Sequence, residues 1–214
     1  MTKNKKIEVI TAYFNELLPN VGTELIYHKD YELLIAVMLS AQTTDVAVNK
    51  VTPVLFSHFP SLNDLAKAEV EAIANDIKTI GLYKTKAKNV KAIAMMLLEN
   101  FQGVVPREKE QLLTLPGVGN KTANVVRAEL FKIPEIAVDT HVSRVSKRLG
   151  LASPTDNPDQ IEAKLRKLLK KEQYISFHHQ AIHFGRYHCL ARSPKCYECK
   201  LVDLCLEKNK RLTP

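Results

Sequence analysis

The sequence predicts an all-α protein, and three observations support this fold class. Apolar residues recur every three or four positions through most of the 214-residue chain, which is the spacing of one face of a helix. No segment alternates apolar and polar residues over the length of a convincing strand. Most prolines and glycines separate the helical segments instead of interrupting them. A hydrophobic content of 45% and a charged content of 25% are ordinary for a globular protein with a real core.

Eight helices are predicted before residue 132. The apolar run Leu33–Leu39 lacks a polar face, so its helix is expected to be buried on all sides. Pro53 is expected to kink or break the helix around it, because proline has no N–H and clashes with the preceding turn. The predicted segments are residues 4–18, a helix capped by Asp30, a helix from Thr44, two short helices that begin at Ser61 and within 67–71 and end before Gly81, residues 85–101, a short helix after Pro106 that ends at Leu115, and residues 120–131.

Three further helices are predicted in the last third of the chain, over residues 140–149, 158–171 and 174–187. No low-complexity tract or Gly/Ser-rich linker is present, so a boundary between domains should be a packed one. Pro134 interrupts the helical pattern and places one boundary near 133–134. A second boundary is expected near residue 22, so that the first helix packs with the C-terminal part.

The chain carries a net charge of +8, which favours an anionic partner such as nucleic acid or an anionic membrane surface. Three lysines among the first six residues resemble a leader, but Glu8 and Asn15 interrupt any apolar stretch behind them. The longest apolar run, Leu33–Leu39, is too short to span a bilayer. A cytoplasmic location is therefore expected, where thiols stay reduced and the four cysteines should not form disulfides.

A glycine-rich turn, Leu-Pro-Gly-Val-Gly over residues 115–119, lies between two predicted helices. Glycine permits positive φ and allows a ligand to approach the backbone closely. The N–H groups of Gly117, Val118 and Gly119 are expected to bind one phosphate, helped by the positive end of the following helix. An ordinary turn between two helices is the alternative interpretation.

Lys121 and Asp139 each stand at the start of a predicted helix. A lysine amine attacks carbon only in its neutral form, which partial burial and a helix N-terminus both favour. A carboxylate fixed at a helix start can stabilise positive charge that develops on a sugar ring. The pair therefore suggests chemistry on a nucleic-acid sugar, whereas Lys121 as a surface or phosphate-contacting residue is the alternative. Asp139 is also expected to cap its helix, which is compatible with a catalytic role.

The four cysteines lie close together, at positions 189, 196, 199 and 205. Four clustered thiols in a reducing compartment indicate a metal site, which holds either zinc or an iron–sulfur cluster. Arg192 and Lys195 lie in the loop between the first two cysteines, and a metal that fixed this loop would present them to phosphate. His179 and His183 have a helical zinc spacing, but with four thiols available a packing or surface role is expected for them.

These motifs together resemble the helix–hairpin–helix DNA glycosylases that carry a [4Fe–4S] cluster. The resemblance rests on residues 115–123, on Val-Asp-Thr-His-Val at 138–142, and on the cysteine spacing of six, two and five residues. It also covers residues 38–45, 80–83 and 184–187, and so extends nearly from end to end. It implies that Cys189, Cys196, Cys199 and Cys205 hold a [4Fe–4S] cluster.

The resemblance implies two helical domains with a DNA-binding groove between them that holds Lys121 and Asp139. One is a six-helix bundle with the helix–hairpin–helix, over residues 22–132. The other is an iron–sulfur cluster domain formed by residues 1–21 and 133–214. The partner would be double-stranded DNA with damaged bases or abasic sites, bound by a monomer at the nucleoid and not at a membrane.

The resemblance also implies the reaction. Lys121 would be the nucleophile and Asp139 the catalytic carboxylate of a bifunctional glycosylase and abasic-site lyase. Such an enzyme removes a damaged base through a lysine imine and cleaves the strand by β-elimination. Related branches lack either the lysine or the cysteines, so their combination here points to oxidised pyrimidines as substrates. A DNA-binding module without catalysis is the alternative, although phosphate binding alone requires neither Lys121 nor Asp139.

Three further residues acquire a role from the resemblance. A target base must leave the double helix to be reached, and residues matching Gln42, Leu82 and His141 fill the gap. Leu82 would be an apolar wedge next to a lysine-rich segment. From the residues alone, Leu82 could instead close its turn by a hydrophobic contact, Gln42 could cap a helix, and His141 could lie on a helix surface.

Overall fold

The computed structural model describes residues 2–214 and contains only helices and connecting segments over that range. The all-α prediction is confirmed. Eleven α-helices are present in the described chain: α1 (Lys3–Leu17), α2 (Asp30–Leu39), α3 (Asp45–His58), α4 (Leu62–Lys67), α5 (Val70–Asp76), α6 (Tyr83–Phe101), α7 (Lys109–Leu112), α8 (Asn120–Phe131), α9 (Thr140–Arg148), α10 (Pro158–Leu168) and α11 (Tyr174–Tyr187). Two short 3₁₀ helices follow, at Lys171–Gln173 and Cys196–Glu198.

The chain forms two compact units. One contains Glu24–Phe131, and the other contains the residues up to Thr23 together with Lys132–Pro214. The second unit is therefore discontinuous in sequence, because α1 packs against α10 and α11 near the other end of the chain.

Helix α2 lies at the centre of the unit Glu24–Phe131. All of Leu33–Leu39 is at most 2% exposed, as expected for an apolar run without a polar face. Helices α3, α6 and α8 pack around α2, and α6 also packs against α4 and α5. Burial of this run removes a large apolar area from water, which stabilises the unit.

The core of the other unit joins α1 to α9, α10 and α11. Phe14 of α1 lies between two aromatic rings of α11, with ring centroids 5.7 Å from Phe177 and 5.0 Å from Phe184. Val142 and Val145 of α9 are fully buried in the same cluster. This packing fixes α9, and with it the residues at the helix start.

Two local expectations from the sequence are wrong. Helix α3 continues through Pro53, because its buried face on both sides of the proline holds the helix together. Asp30 is not the cap of α2, since the cap position is Lys29 and the Glu32 carboxylate accepts the N–H groups of His28 at 2.7 Å and Lys29 at 3.3 Å. The acidic side chain two residues later thus satisfies the backbone donors in place of Asp30.

Candidate active site and DNA-contact residues

The glycine-rich turn lies between α7 and α8. Of its two glycines, only Gly117 occupies a position that requires glycine. Gly117 has φ +77°, a conformation that other residues adopt only with strain. A Cβ there would lie 2.5 Å from Nδ2 of Asn89 and 3.2 Å from Cγ of Met38. Gly119 has no positive φ, and a Cβ would meet no atom within 4 Å. The turn is therefore packed against the core at Gly117 and open at Gly119.

The predicted set of phosphate-binding N–H groups requires one correction. The N–H of Val118 donates to the carbonyl oxygen of Leu115 at 3.1 Å, and the Val118 side chain is buried. Val118 therefore closes the turn instead of presenting a donor. The N–H groups of Gly117 and Gly119 have no acceptor within residues 2–214 and are available to an anion.

Lys121 is half-buried in the first turn of α8, two residues after the open position Gly119. Its neighbours Thr122, Ala123 and Asn124 are buried, so the backbone that carries Lys121 is held by the core. The N-terminal end of a helix carries partial positive charge, so Lys121 lies in a positive backbone field.

Asp139 is the N-cap of α9. Its Oδ1 accepts the N–H of Val142 at 2.8 Å, and its backbone carbonyl accepts the N–H of Ser143 at 2.9 Å. The other carboxylate oxygen accepts no hydrogen bond within residues 2–214. The carboxylate is thus held by one oxygen and leaves the second available to a ligand, while the helix N-terminus favours its negative charge.

His141 is the second residue of α9 and packs tightly against α11. Nη2 of Arg144 lies 3.2 Å from Nδ1 of His141 and donates to the carbonyl oxygen of Gly185 at 2.7 Å. A Cβ on Gly185 would come within 2.9 Å of the His141 Cβ, so this glycine permits the contact. Burial lowers the pKa of His141, and Arg144 and Arg186 act in the same direction, whereas Asp139 opposes them. His141 is therefore half-buried and held against α11, and it is not a simple surface residue.

Gln42 and Leu82 are both exposed and both lie in the left-handed region, with φ of +54° and +59°. Leu82 is 62% exposed at the start of α6, so it does not close its turn as a buried contact. Gln42 follows the end of α2 in a separate turn. A non-glycine residue with positive φ is uncommon and often marks a functional position.

The four cysteines line one pocket in the C-terminal tail. Burial raises the pKa of the Cys199 thiol to about 11 and also raises the pKa of Cys189, so a metal would have to displace these thiol protons. Among residues 2–214, no group of three or more Cys, His, Asp or Glu side chains is arranged to hold a single metal ion. All four cysteines are free thiols within residues 2–214.

The basic side chains near the cysteines differ in exposure and in the contacts that they make. Arg192 is exposed in the loop between the first two cysteines. Lys195 lies 3.8 Å from the carboxylate of Glu198, so part of its charge is compensated. Arg148 of α9 donates to Sγ of Cys189 at 3.4 Å and to the carbonyl oxygen of Leu190 at 2.6 Å. The first part of the loop is therefore anchored to α9.

His179 and His183 do not form a second metal site in the described structure. His179 is buried within α11, and the ring of His183 lies 2.9 Å from the carbonyl oxygen of Gly22. Asn89 packs behind Gly117, and Arg144 contacts His141, but neither residue was predicted from the sequence. Neither has a distinctive spacing, since the contacts of Asn89 with Gly117 and of Arg144 with Gly185 join segments far apart in the chain.

The chain combines a helical fold with an open glycine turn before a lysine, an aspartate that caps a helix, and four clustered thiols, and this combination defines a class of protein. Residues 35–171 match the HhH-GPD superfamily of base excision DNA repair proteins, and the chain belongs to this family. It is similar over 99% of its length to endonuclease III of Bacillus subtilis (strain 168), with 46% identity and 96% of that protein covered. Endonuclease III of Escherichia coli (strain K12) is 45% identical over 98% of this chain and 99% of its own length.

Solved structures agree with these sequence matches. A trapped endonuclease III–DNA covalent intermediate has a TM-score of 0.93 and 45% identity, with 97% of each chain covered. A thermostable thymine-DNA glycosylase has a TM-score of 0.83 and 27% identity, over 95% of this chain and 96% of its own. The resemblance inferred from the sequence, and with it the prediction of a base excision repair enzyme, is confirmed. No helix within residues 2–214 is long and apolar enough to cross a membrane.

Proposed function

We propose that this protein is a bifunctional DNA glycosylase and abasic-site lyase that removes oxidised pyrimidines from double-stranded DNA. The observation that carries the proposal is the start of α8, where an open backbone turn with available N–H groups at Gly117 and Gly119 precedes the half-buried Lys121 by two residues. A phosphate bound at Gly117 and Gly119 would place a sugar of the strand within reach of this lysine.

Lys121 is the nucleophile in this proposal. Its neutral Nζ attacks C1′ of the sugar, and the N-glycosidic bond breaks with its electron pair leaving on the base, which takes up a proton. Loss of a proton from Nζ and opening of the sugar ring give an imine between Lys121 and C1′. The imine acidifies the C2′ hydrogen, and removal of that proton expels the 3′ phosphate by β-elimination. Water then hydrolyses the imine and restores the amine.

Asp139 stabilises the positive charge that develops on the sugar as the base leaves. Its Oδ1 is occupied by the N–H of Val142, which holds the carboxylate in one orientation. A carboxylate with one fixed and one available oxygen suits this electrostatic role. Its orientation costs nothing further at the moment of reaction, because the cap is part of the folded helix.

Five further residues would contact DNA. Gln42, Leu82 and His141 would fill the space left by the extruded base. Arg192 and Lys195 would contact phosphates. We assign the unit Glu24–Phe131 as the helix–hairpin–helix domain predicted over 22–132, and the other unit as the cluster domain.

Cys189, Cys196, Cys199 and Cys205 would hold a [4Fe–4S] cluster. The residues fit this group, because four free thiols line one pocket and Arg148 donates a hydrogen bond to one of the sulfurs. The cluster would cross-link the tail and keep its basic loop rigid, and takes no part in the steps at the sugar. The purified protein should be yellow-brown with about four irons per chain. A colourless protein with one zinc would favour the structural zinc site instead.

Borohydride reduction of the protein mixed with an oligonucleotide that carries one abasic site tests the activity directly. An imine would be reduced to a stable covalent adduct, visible as a protein–DNA band on a denaturing gel. DNA binding without any adduct would instead identify a DNA-binding module without catalysis. The proposed setting is a monomer acting on DNA in the cytoplasm, at the nucleoid, and sedimentation of the free and DNA-bound protein would test the monomeric state.

A further inference from the structure

One buried lysine connects the two exposed turns that carry Gln42 and Leu82. Lys86 lies in the first part of α6, and its backbone N–H donates to the carbonyl oxygen of Leu82 at 3.0 Å. Its side chain runs to the other turn, where Nζ donates to Oγ1 of Thr43 at 2.7 Å. A single side chain therefore spans the two turns, which are about 40 residues apart in sequence.

The Thr43 hydroxyl also closes the Gln42 turn. Oγ1 of Thr43 donates to the carbonyl oxygen of Ala41 at 3.4 Å, so the hydroxyl accepts from Lys86 and donates across Gln42. The backbone N–H of Thr43 donates to Ser40 at 3.1 Å. These contacts hold Gln42 in its left-handed conformation, although no glycine is present there.

Stability alone does not explain a lysine at this position. Lys86 is only 4% exposed, and no ion pair within residues 2–214 involves its ammonium group. Burial lowers the pKa of Lys86, because the buried environment disfavours the charged form. A methionine of similar length could fill the same space without burying a charge beside a neutral acceptor.

We propose that Lys86 is a positioning residue that fixes the Gln42 turn to the Leu82 turn, so that both side chains enter the DNA duplex as one rigid element. This inference rests on the proposed function for its consequence in catalysis. Rigid coupling means that the two side chains do not have to be ordered separately when the base is extruded, which lowers the entropy lost on insertion. The Lys86–Thr43 hydrogen bond should therefore affect the excision rate only when the DNA duplex must be opened.

Two nearly isosteric variants, Lys86→Met and Thr43→Val, each remove the bridge from one end. Excision of an oxidised pyrimidine from duplex DNA should fall by about tenfold in either variant, the factor expected for the loss of one hydrogen bond from a charged group. The double variant should be no slower than the single ones, because both changes remove the same bond. Borohydride trapping on a single-stranded abasic oligonucleotide should change little. Additive losses, or equal losses on both substrates, would overturn the proposal.

Lys88→Met is the matched control. Lys88 is exposed on the same helix, two residues further on, and its loss removes one positive charge without touching the bridge. Lys88→Met should weaken the binding of both DNA substrates by the same factor at low salt. If Lys88→Met showed the same selective loss on duplex DNA as Lys86→Met, charge and not the bridge would explain the effect.

Hydrogen exchange in the free protein tests the bridge without any reaction. The Ala41 and Thr43 amides should exchange faster in Lys86→Met than in the wild-type protein, since their turn loses an anchor. Unchanged exchange would contradict the proposal. Thr43 is half-exposed, so Thr43→Val keeps the fold even if Lys86→Met does not. A wild-type protein that forms no adduct would refute the proposed function, whereas exchange would still decide whether Lys86 holds the turns together.

Discussion

The starts of α8 and α9 each present one candidate catalytic residue, but with opposite electrostatics. At α8, the positive end of the helix carries a lysine, a side chain of the same sign. At α9, the same kind of helix end faces an aspartate that it stabilises, and the aspartate also caps the helix. At Asp139, the contact that stabilises the helix therefore also fixes the orientation of the candidate catalytic group.

The two helix starts also differ in how they are built. The turn before α8 depends on a glycine that packs against Asn89 and Met38, and on a core beneath the helix. The start of α9 is fixed by the side chain of Asp139 itself and by the packing of α9 on α11. Substitutions at the two helix starts should therefore affect catalysis and folding stability in different proportions.

The largest effect is expected for Lys121→Gln. Borohydride trapping and strand cleavage should fall below detection, because the nucleophile is gone. The variant should still fold, because Thr122, Ala123 and Asn124 beside it in α8 are held by the core, and a melting curve checks this. Lys132→Gln, which removes a lysine just beyond the other end of α8, should trap like the wild type. Trapping at the wild-type rate by Lys121→Gln would identify another amine as the nucleophile, with the N-terminus as the first to test.

Two substitutions of Asp139 should distinguish its catalytic role from its role as a helix cap. Asp139→Asn should slow base excision by a factor on the order of a hundred to a thousand, as for loss of one electrostatic stabiliser of a transition state. Its melting temperature should hardly change, because asparagine also caps helices. Asp139→Ala should add a stability loss of about 1 kcal/mol. If the folded Asp139→Asn protein turns over normally, the aspartate is only a cap.

The two glycines of the turn provide a matched pair. Gly117→Ala should cost at least about 1–2 kcal/mol from the left-handed conformation alone, and should weaken binding to every DNA substrate because the turn must move away from Asn89. Gly119→Ala should leave the melting curve nearly unchanged, since nothing lies near its Cβ. If a phosphate approaches that backbone, Gly119→Ala should lower only the affinity for DNA. Equal melting curves for the two variants would contradict the packing described for Gly117.

The smallest effect on stability is expected for Leu82→Ala, at a third helix start. Leu82 is 62% exposed, so the free energy of unfolding should change by no more than about 0.5 kcal/mol. Excision from duplex DNA should slow, because opening the base stack costs a few kcal/mol that the wedge helps to offset. Cleavage at an abasic site in single-stranded DNA should suffer less. A large drop in melting temperature would exclude the wedge as the main role of Leu82.

The sequence by itself determined the helices and the types of residue at their ends. Helical spacing predicted the all-α fold, and the apolar run Leu33–Leu39 predicted a helix buried on all sides, because both depend on neighbours within a few residues. The capping role of Asp139 was predictable for the same reason. The order Gly-Val-Gly before a lysine and the cysteine spacing were enough to indicate the family, which the comparisons confirm.

Only the tertiary structure decided which other side chains contact these residues and hold them in place. Lys86 reaches Thr43, Asn89 packs behind Gly117, and Arg144 links His141 to Gly185, and each contact joins residues far apart in sequence. The sequence also placed the N–H of Val118 on a phosphate, whereas the folded turn uses it internally. Such contacts depend on how helices pack against one another, and a local pattern carries no information about a partner that packing brings from another part of the chain.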